Sequence, residues 1–112
     1  MMATRPETAE FILAHLGMPD RFSVRRMFGE YALYADGKPV AFICDDQLLV
    51  KITPESAPLE RMCERSLLFP GSKEHLLVPE EMITGMRELP HLLLRMAEKL
   101  PFPKPRGKRR SA

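Results

Sequence analysis

The stretch RRMFGEYALYADGKPVAF, residues 25–42, decides the fold. Near its centre Asp36-Gly37 is a strong hairpin signal, because both central residues of a type I′ turn need positive φ. A two-residue loop there sets Ala35 opposite Lys38, Leu33 opposite Val40 and Tyr31 opposite Phe42. One face of the hairpin then carries Tyr31, Leu33, Val40 and Phe42, and the other Ala32, Tyr34, Pro39 and Ala41. Large residues fall opposite large and small opposite small, which supports this register. Arg25 and Arg26 sit on a preceding strand over residues 23–28, so their side chains point to opposite faces and do not form a clamp. Each is suited to hold an anion or a partner carboxylate singly, or to stand at a solvated edge or in an intramolecular ion pair. Gly29 in a strand-like run predicts a bulge or sharp bend. Met27 and Phe28 beside it are expected to pack into the core at that corner.

Outward from this hairpin the chain alternates helical and extended patterns. On its C-terminal side Asp45-Asp46 marks a turn, and residues 47–52 alternate Leu48, Val50 and Ile52 against Leu49 and Lys51. On its N-terminal side a helix is expected over residues 4–16. Thr4 and Glu7 have the capping-box spacing, Pro6 suits a first turn, and Phe11, Ile12, His15 and Leu16 recur on one face. Gly17 follows as the natural end, with Pro19 just beyond. A shorter helix is predicted over residues 57–65, with Leu59, Met62 and Cys63 inward. Two short apolar runs, 67–69 and 75–78, flank the turn residues Pro70, Gly71 and Ser72. A helical turn begins after Pro79 and dies near Gly85, and a last helix over 88–100 carries the stripe Leu89, Leu93, Met96 and Leu100. The expected architecture is a two-layer α+β domain, an antiparallel sheet with helices packed on one face, in the order α-β-β-β-(β)-α-β-β-α. Both faces of the central strands are apolar, although an antiparallel sheet usually leaves one face solvated. The second face is therefore a candidate for a helix cover or a partner.

Length and composition agree with one domain. The chain has 112 residues, 45% hydrophobic and 29% charged, an ordinary globular balance. No apolar run approaches the roughly 20 residues of a membrane span, and the N-terminus has no apolar core of a secretory signal. Cys44 and Cys63 are expected to be free thiols of a cytoplasmic protein. The net charge of +2 hides an asymmetry. Removing the five basic residues of positions 101–112 from seventeen leaves twelve against fifteen acids, about −3 for the folded part. The domain is expected to span residues 1–100. Residues 101–112 form a basic, proline-containing disordered tail whose Lys104, Arg106, Lys108, Arg109 and Arg110 are candidate phosphate contacts on nucleic acid, or simply a solubilising end.

No catalytic constellation emerges. His15, His75 and His91 lack metal-site spacing with one another or with the cysteines. Asp45-Asp46 reads as turn chemistry rather than as paired catalytic acids. Nucleophile-elbow, phosphate-loop and dinucleotide motifs are all missing. The helical methionines Met82, Met86 and Met96 read as core. The reading is therefore of a non-enzyme without metal, cofactor or small-molecule substrate. It works through a protein partner or self-association, with Arg25, Arg26, Tyr31 and Tyr34 as its candidate surface. Nucleic-acid binding through the tail is the alternative.

The run RRMFGEYALYADGKPVAFICDDQLLVKI, from Arg25 to Ile52, resembles the N-terminal domain of the TfoX/Sxy family. The matching positions are Arg25, Arg26, Met27, Phe28, Gly29, Tyr31, Leu33, Tyr34, Asp36 and Gly37. Leu48, Lys51 and the segment Val78-Pro79-Glu80-Glu81 follow further along, so that the resemblance covers about residues 5–100. Glu30 departs from the pattern, standing where a second glycine is common. The resemblance implies a secretion-chaperone-like α+β fold and a bacterial cytoplasmic protein linked to transcriptional regulation of competence. It supplies no catalytic residues, and the C-terminal domain of the full-length regulators is not expected here.

Overall fold

The computed structural model describes residues 4–102. Helix α1 (Pro6–Leu16) leads into strands β1 (Phe22–Met27), β2 (Glu30–Ala35), β3 (Lys38–Cys44) and β4 (Gln47–Lys51). A 3-10 turn (Pro54–Ser56) runs into helix α2 (Ala57–Glu60), followed by β5 (Glu64–Leu67), β6 (Glu74–Val78), α3 (Glu80–Gly85) and α4 (Leu89–Lys99). The strands form one antiparallel sheet in the order β1-β2-β3-β4-β6-β5. Buried residues of α1, α3 and α4 share one core with Leu33, Ala35, Ile43, Val50 and Leu76 of the sheet. This is the expected α+β class with the expected element order.

Three consecutive two-residue turns fold the first four strands into a meander. Phe28-Gly29, Asp36-Gly37 and Asp45-Asp46 all have positive φ at both positions, the type I′ geometry whose twist matches that of paired strands. Each is flanked by a directly opposed pair, Met27 with Glu30, Ala35 with Lys38 and Cys44 with Gln47. Gly29 is thus the second residue of a hairpin turn, and the expected packing of its neighbours fails. Phe28 at the tip is 97% exposed and Met27 39% exposed. A side chain at the outermost residue of a two-residue turn has no sheet beneath it to pack on.

The register of the central hairpin also departs from expectation. Ala35 opposes Lys38 and Tyr34 opposes Pro39, but Leu33 then opposes Ala41 and Tyr31 opposes Ile43. Val40 is therefore an extra residue, a β-bulge. Pro39 beside it has no N–H to give to a ladder, which is why proline inside a sheet accompanies such irregularities. Beyond the bulge the alternation of β3 is inverted. Val40 and Ala41 are both fully buried, Ile43 enters the helix-side core and Phe42 turns to the opposite face.

The N-terminus is tied to two of the turns rather than capped by its own residues. Thr4 does not cap α1, whose N-cap is Arg5 without a side-chain hydrogen bond. Thr4 is instead buried between the Phe28-Gly29 and Asp45-Asp46 turns. Its backbone N–H donates to Gly29 O at 3.1 Å. Its hydroxyl accepts from Asp46 N–H at 3.2 Å and has the Glu30 carboxylate and Ile43 O, at 3.1 Å, within reach of its single proton. Glu30 also accepts from Asp45 N–H at 3.1 Å. The Asp46 carboxylate accepts from Arg5 N–H at 2.9 Å and from the Thr8 hydroxyl at 2.7 Å, and so caps α1 from across the fold. These hydrogen bonds favour the ionised form and hold the Asp46 carboxyl below its ordinary range.

The remaining elements follow their patterns with two shortfalls, the second helix and the run over 67–69, where the strand is Glu64–Leu67 and both Leu67 and Phe69 are exposed. In α4 Leu89, Leu93 and Met96 of the predicted stripe are fully buried, joined by Leu92, while Leu100 is half-buried just past the end of the helix. The second helix is a single turn because Met62 and Cys63 N–H both close on Leu59 O, after which β5 begins. Leu59 is buried and Cys63 packs against the core, but Met62, expected inward, is 59% exposed.

Replacing Thr4 by valine keeps the shape of this buried residue but leaves the Asp46 N–H without its acceptor. Such a loss costs about 1–3 kcal/mol, so Thr4→Val is expected to lower the urea midpoint at unchanged slope. An unchanged midpoint means that the tie between the helix and the two turns does not contribute to stability.

Candidate functional site

The strand pairing defines two distinct surfaces, an uncovered face of the sheet and the tip of the β1–β2 hairpin. Arg25 opposes Ala32, which opposes Phe42, then Leu49, then Leu77, then Glu64, one cross-strand row through all six strands. None of these belongs to the helix-side core. Ala32 and Leu49 are nonetheless buried, shielded by their neighbours on the row. The next row, toward the Asp36-Gly37 end, sets Lys51 opposite His75 and His75 opposite Ser66, with Tyr34 and Ser23 further along the same face. The expectation of a second apolar face is met in its centre, while Arg25 stands at the β1 margin, Glu64 at the β5 margin and Lys51 with His75 toward the Asp36-Gly37 end.

Arg25 and Arg26 diverge as strand geometry requires. The Arg25 guanidinium lies 5.6 Å from the Tyr34 ring centre on the uncovered face, and that of Arg26 5.6 Å from the Tyr31 ring on the helix side. Both arginines are exposed, and among the described residues neither joins an ion pair. Tyr31 is buried and Tyr34 half-buried. The four residues picked out from the sequence are thus brought together as two cation–π pairs, one on each side of the edge strand. Lys104, Arg106, Lys108, Arg109 and Arg110 lie outside the described residues.

Several features of the uncovered face escape a motif search. His75 is buried beside Phe42, edge-on at 5.5 Å, and its Nδ1 pairs with Lys73 O at 2.9 Å. Burial lowers its pKa, and the charges of Lys51 and Lys73 lower it further against that carbonyl hydrogen bond. Lys51 is half-buried, and desolvation followed by Lys73 lowers its pKa as well. The signal was present in the alternation, since Lys51 shares a face with Leu49, and His75 with Leu77.

Other titratable groups give no reactive constellation. Burial pushes the Cys44 thiol up to about 11, with the Glu30 and Asp45 charges adding to it, and burial also raises Cys63, whose sulfur contacts Met82 Sδ at 3.6 Å. Both cysteines are free. Among the described residues no group of three or more His, Cys, Asp or Glu is arranged to hold a metal, and no helix is long and apolar enough to cross a membrane. A cleft of about 500 Å³ opens between α1 and the β4–β6–α3 wall, floored by Phe11, Leu48, Val78 and Ile83 with Glu7 and Glu80 on its walls. Its one hydrogen-bonded carboxylate, Asp46, is already engaged in holding α1.

The depressed pKa of His75 sets a pH dependence. The unfolded imidazole takes up a proton near its ordinary value of about 6.5, while the folded one resists until lower pH. The unfolded state therefore binds more protons in that window, and stability falls as pH drops through it. His75→Gln is expected to flatten this limb in urea midpoints measured from neutral to mildly acidic pH. A limb of the same slope in the variant assigns the dependence to other groups.

Comparison with known proteins agrees with this geometry. The family model of the TfoX N-terminal domain matches residues 12–99, which include the meander, the excursion through β5 and the last helix. An uncharacterised 12.7 kDa protein in the trpE 5′ region of Spirochaeta aurantia is 38% identical over 105 residues, covering 94% of this chain and 90% of that one. With its three-turn meander, its single helix layer and this match over most of its length, the chain belongs to the TfoX N-terminal domain family.

Proposed function

We propose that the chain is a small cytoplasmic regulatory domain, without catalytic activity of its own, that acts by docking a protein partner through the β1–β2 tip. Phe28 carries this reading. Its ring is 97% exposed and its backbone sits at φ 49°. A bulky residue in the left-handed region works against stability, and a large apolar ring left in water contributes no burial while inviting association. Asparagine or glycine fills such a position without that strain. The backbone of the tip is tied by the Thr4 N–H bond to Gly29 O at 3.1 Å, which lowers the backbone ordering cost of binding there. Phe28 with Met27 supplies the apolar centre of a small interface, and the exposed Arg25 and Arg26 supply a rim able to engage carboxylates. Membership in a family named for a competence regulator supports a regulatory rather than a metabolic role. The partner is a second protein or a second copy of this chain.

Phe28→Asn separates the two effects. The variant is expected to gain about 1 kcal/mol of stability through relief of the left-handed strain. It is also expected to lose partners captured by the wild-type protein from an extract, and any concentration-dependent dimer seen by light scattering. A variant that captures the same proteins and associates to the same extent overturns the reading.

A further inference from the structure

The uncovered face combines two features at one end of the sheet. The first is a group of cations on the row next to Glu64, the one exposed carboxylate of the described residues on this face of β5. Lys51 and His75 are direct cross-strand partners, and Lys73 lies two residues before His75. Among the described residues neither lysine forms an ion pair. The charges that act on Lys51 and His75 are those of lysines, with no carboxylate offsetting them. A half-buried ammonium beside a second one is a site whose repulsion a bound anion relieves. The second feature is a pair of half-buried aromatic rings on the same face. Phe42 is placed there by the bulge at Val40 and packs edge-on to His75, and Tyr34 lies under the Arg25 guanidinium. Glu30, also on this face, has its carboxylate turned to Thr4 and Asp45 at the far end.

We propose that this face of the sheet binds single-stranded nucleic acid, with phosphates held by Lys51 and Lys73 and bases stacked on Phe42 and on the Arg25 guanidinium plane that Tyr34 supports. Rings interleaved with cations on an open antiparallel sheet suit unpaired bases, whose faces are free to stack. A duplex offers its phosphates but keeps its base faces inside the helix. Phe102 lies at the same end, with the Lys38 ammonium 4.6 Å from its ring centre, beside Gly37. Phe28 stands at the opposite end of the sheet, and Arg25 is the one residue that this surface shares with the Phe28 tip.

The test uses the full chain and a fluorescein-labelled oligothymidine, titrated by anisotropy across a salt series, with a duplex of the same length in parallel. Binding to the single strand is expected to exceed binding to the duplex and to weaken with salt. The double variant Lys51→Gln, Lys73→Gln is expected to lower the slope of log affinity against log salt by about 1.4, two phosphate contacts on a single strand. Tyr34→Leu is expected to weaken binding about five- to hundredfold, the loss of one stacked base. Phe28→Asn is expected to leave it unchanged. Amide shifts on wild-type protein keep the test decisive if a variant fails to fold, and these are expected in β2, β3, β4 and β6. Absent binding at low salt, tighter binding to duplex, shifts confined to residues 103–112, or affinity indifferent to Lys51, Lys73 and Tyr34 would each overturn the proposal.

Discussion

One proline and the residue after it set the facing of the central sheet. Pro39 has no N–H for the ladder, and the extra residue Val40 is accommodated beside it as a bulge. Because the side-chain period of a strand is two, one inserted residue exchanges the faces of everything beyond it. Ile43 becomes core and Phe42 becomes surface. The pairing of β3 with β4 carries that choice to Leu48 and Leu49, and β4 with β6 carries it to Val78 and Leu77. Without the bulge the alternation in three strands would not be consistent with a single helix layer. The same step brings Phe42 against His75.

The tight turns give the sheet two ends of different character. At one end Thr4, Glu30, Asp45 and Asp46 interlock through half-buried and exposed hydrogen bonds, and the acids Glu30, Asp45 and Asp46 gather there with Arg5. At the other, Lys38 reaches Ala97 O at 2.9 Å near the end of α4, where a cation also meets the negative end of the helix dipole. Lys51 and Lys73 stand at the same end. The Arg21–Asp36 pair, 2.8 and 2.6 Å in a fork geometry, neutralises the one acid of the Asp36-Gly37 turn.

Local chemistry was legible in the sequence where it is short-ranged. Asp36-Gly37, the α4 stripe and the change from helical to alternating period each rest on neighbours within a few residues, and each appears as read. The opposite facing of Arg25 and Arg26 followed from strand geometry alone. Three features were not legible because they depend on distant partners. Thr4 and Glu7 have capping spacing, but Thr4 is claimed by two turns many residues away. Met27-Phe28-Gly29 resembles a core corner because apolar residues usually pack, whereas a two-residue turn leaves nothing beneath its tip. The bulge at Val40 conflicts with a register that is chemically sensible on its own, large opposite large. The cationic end of the open face arises from two strands separated by the α2–β5 excursion, so no contiguous motif announces it.

The outer strands have a bearing on how this molecule behaves in a crowded solution. A six-stranded open sheet has two rows of unpaired backbone donors and acceptors, and such rows template the addition of further strands. Here β1 carries the adjacent charges Arg25 and Arg26, one to each side, and β5 is only four residues long and begins with Glu64-Arg65. A second sheet approaching either edge in register must bring its own charges against these or strip them of water. The arginine pair thus acts as a guard against fibrillar growth, which lets a protein with apolar residues on both sides of its sheet keep that second side open to solvent.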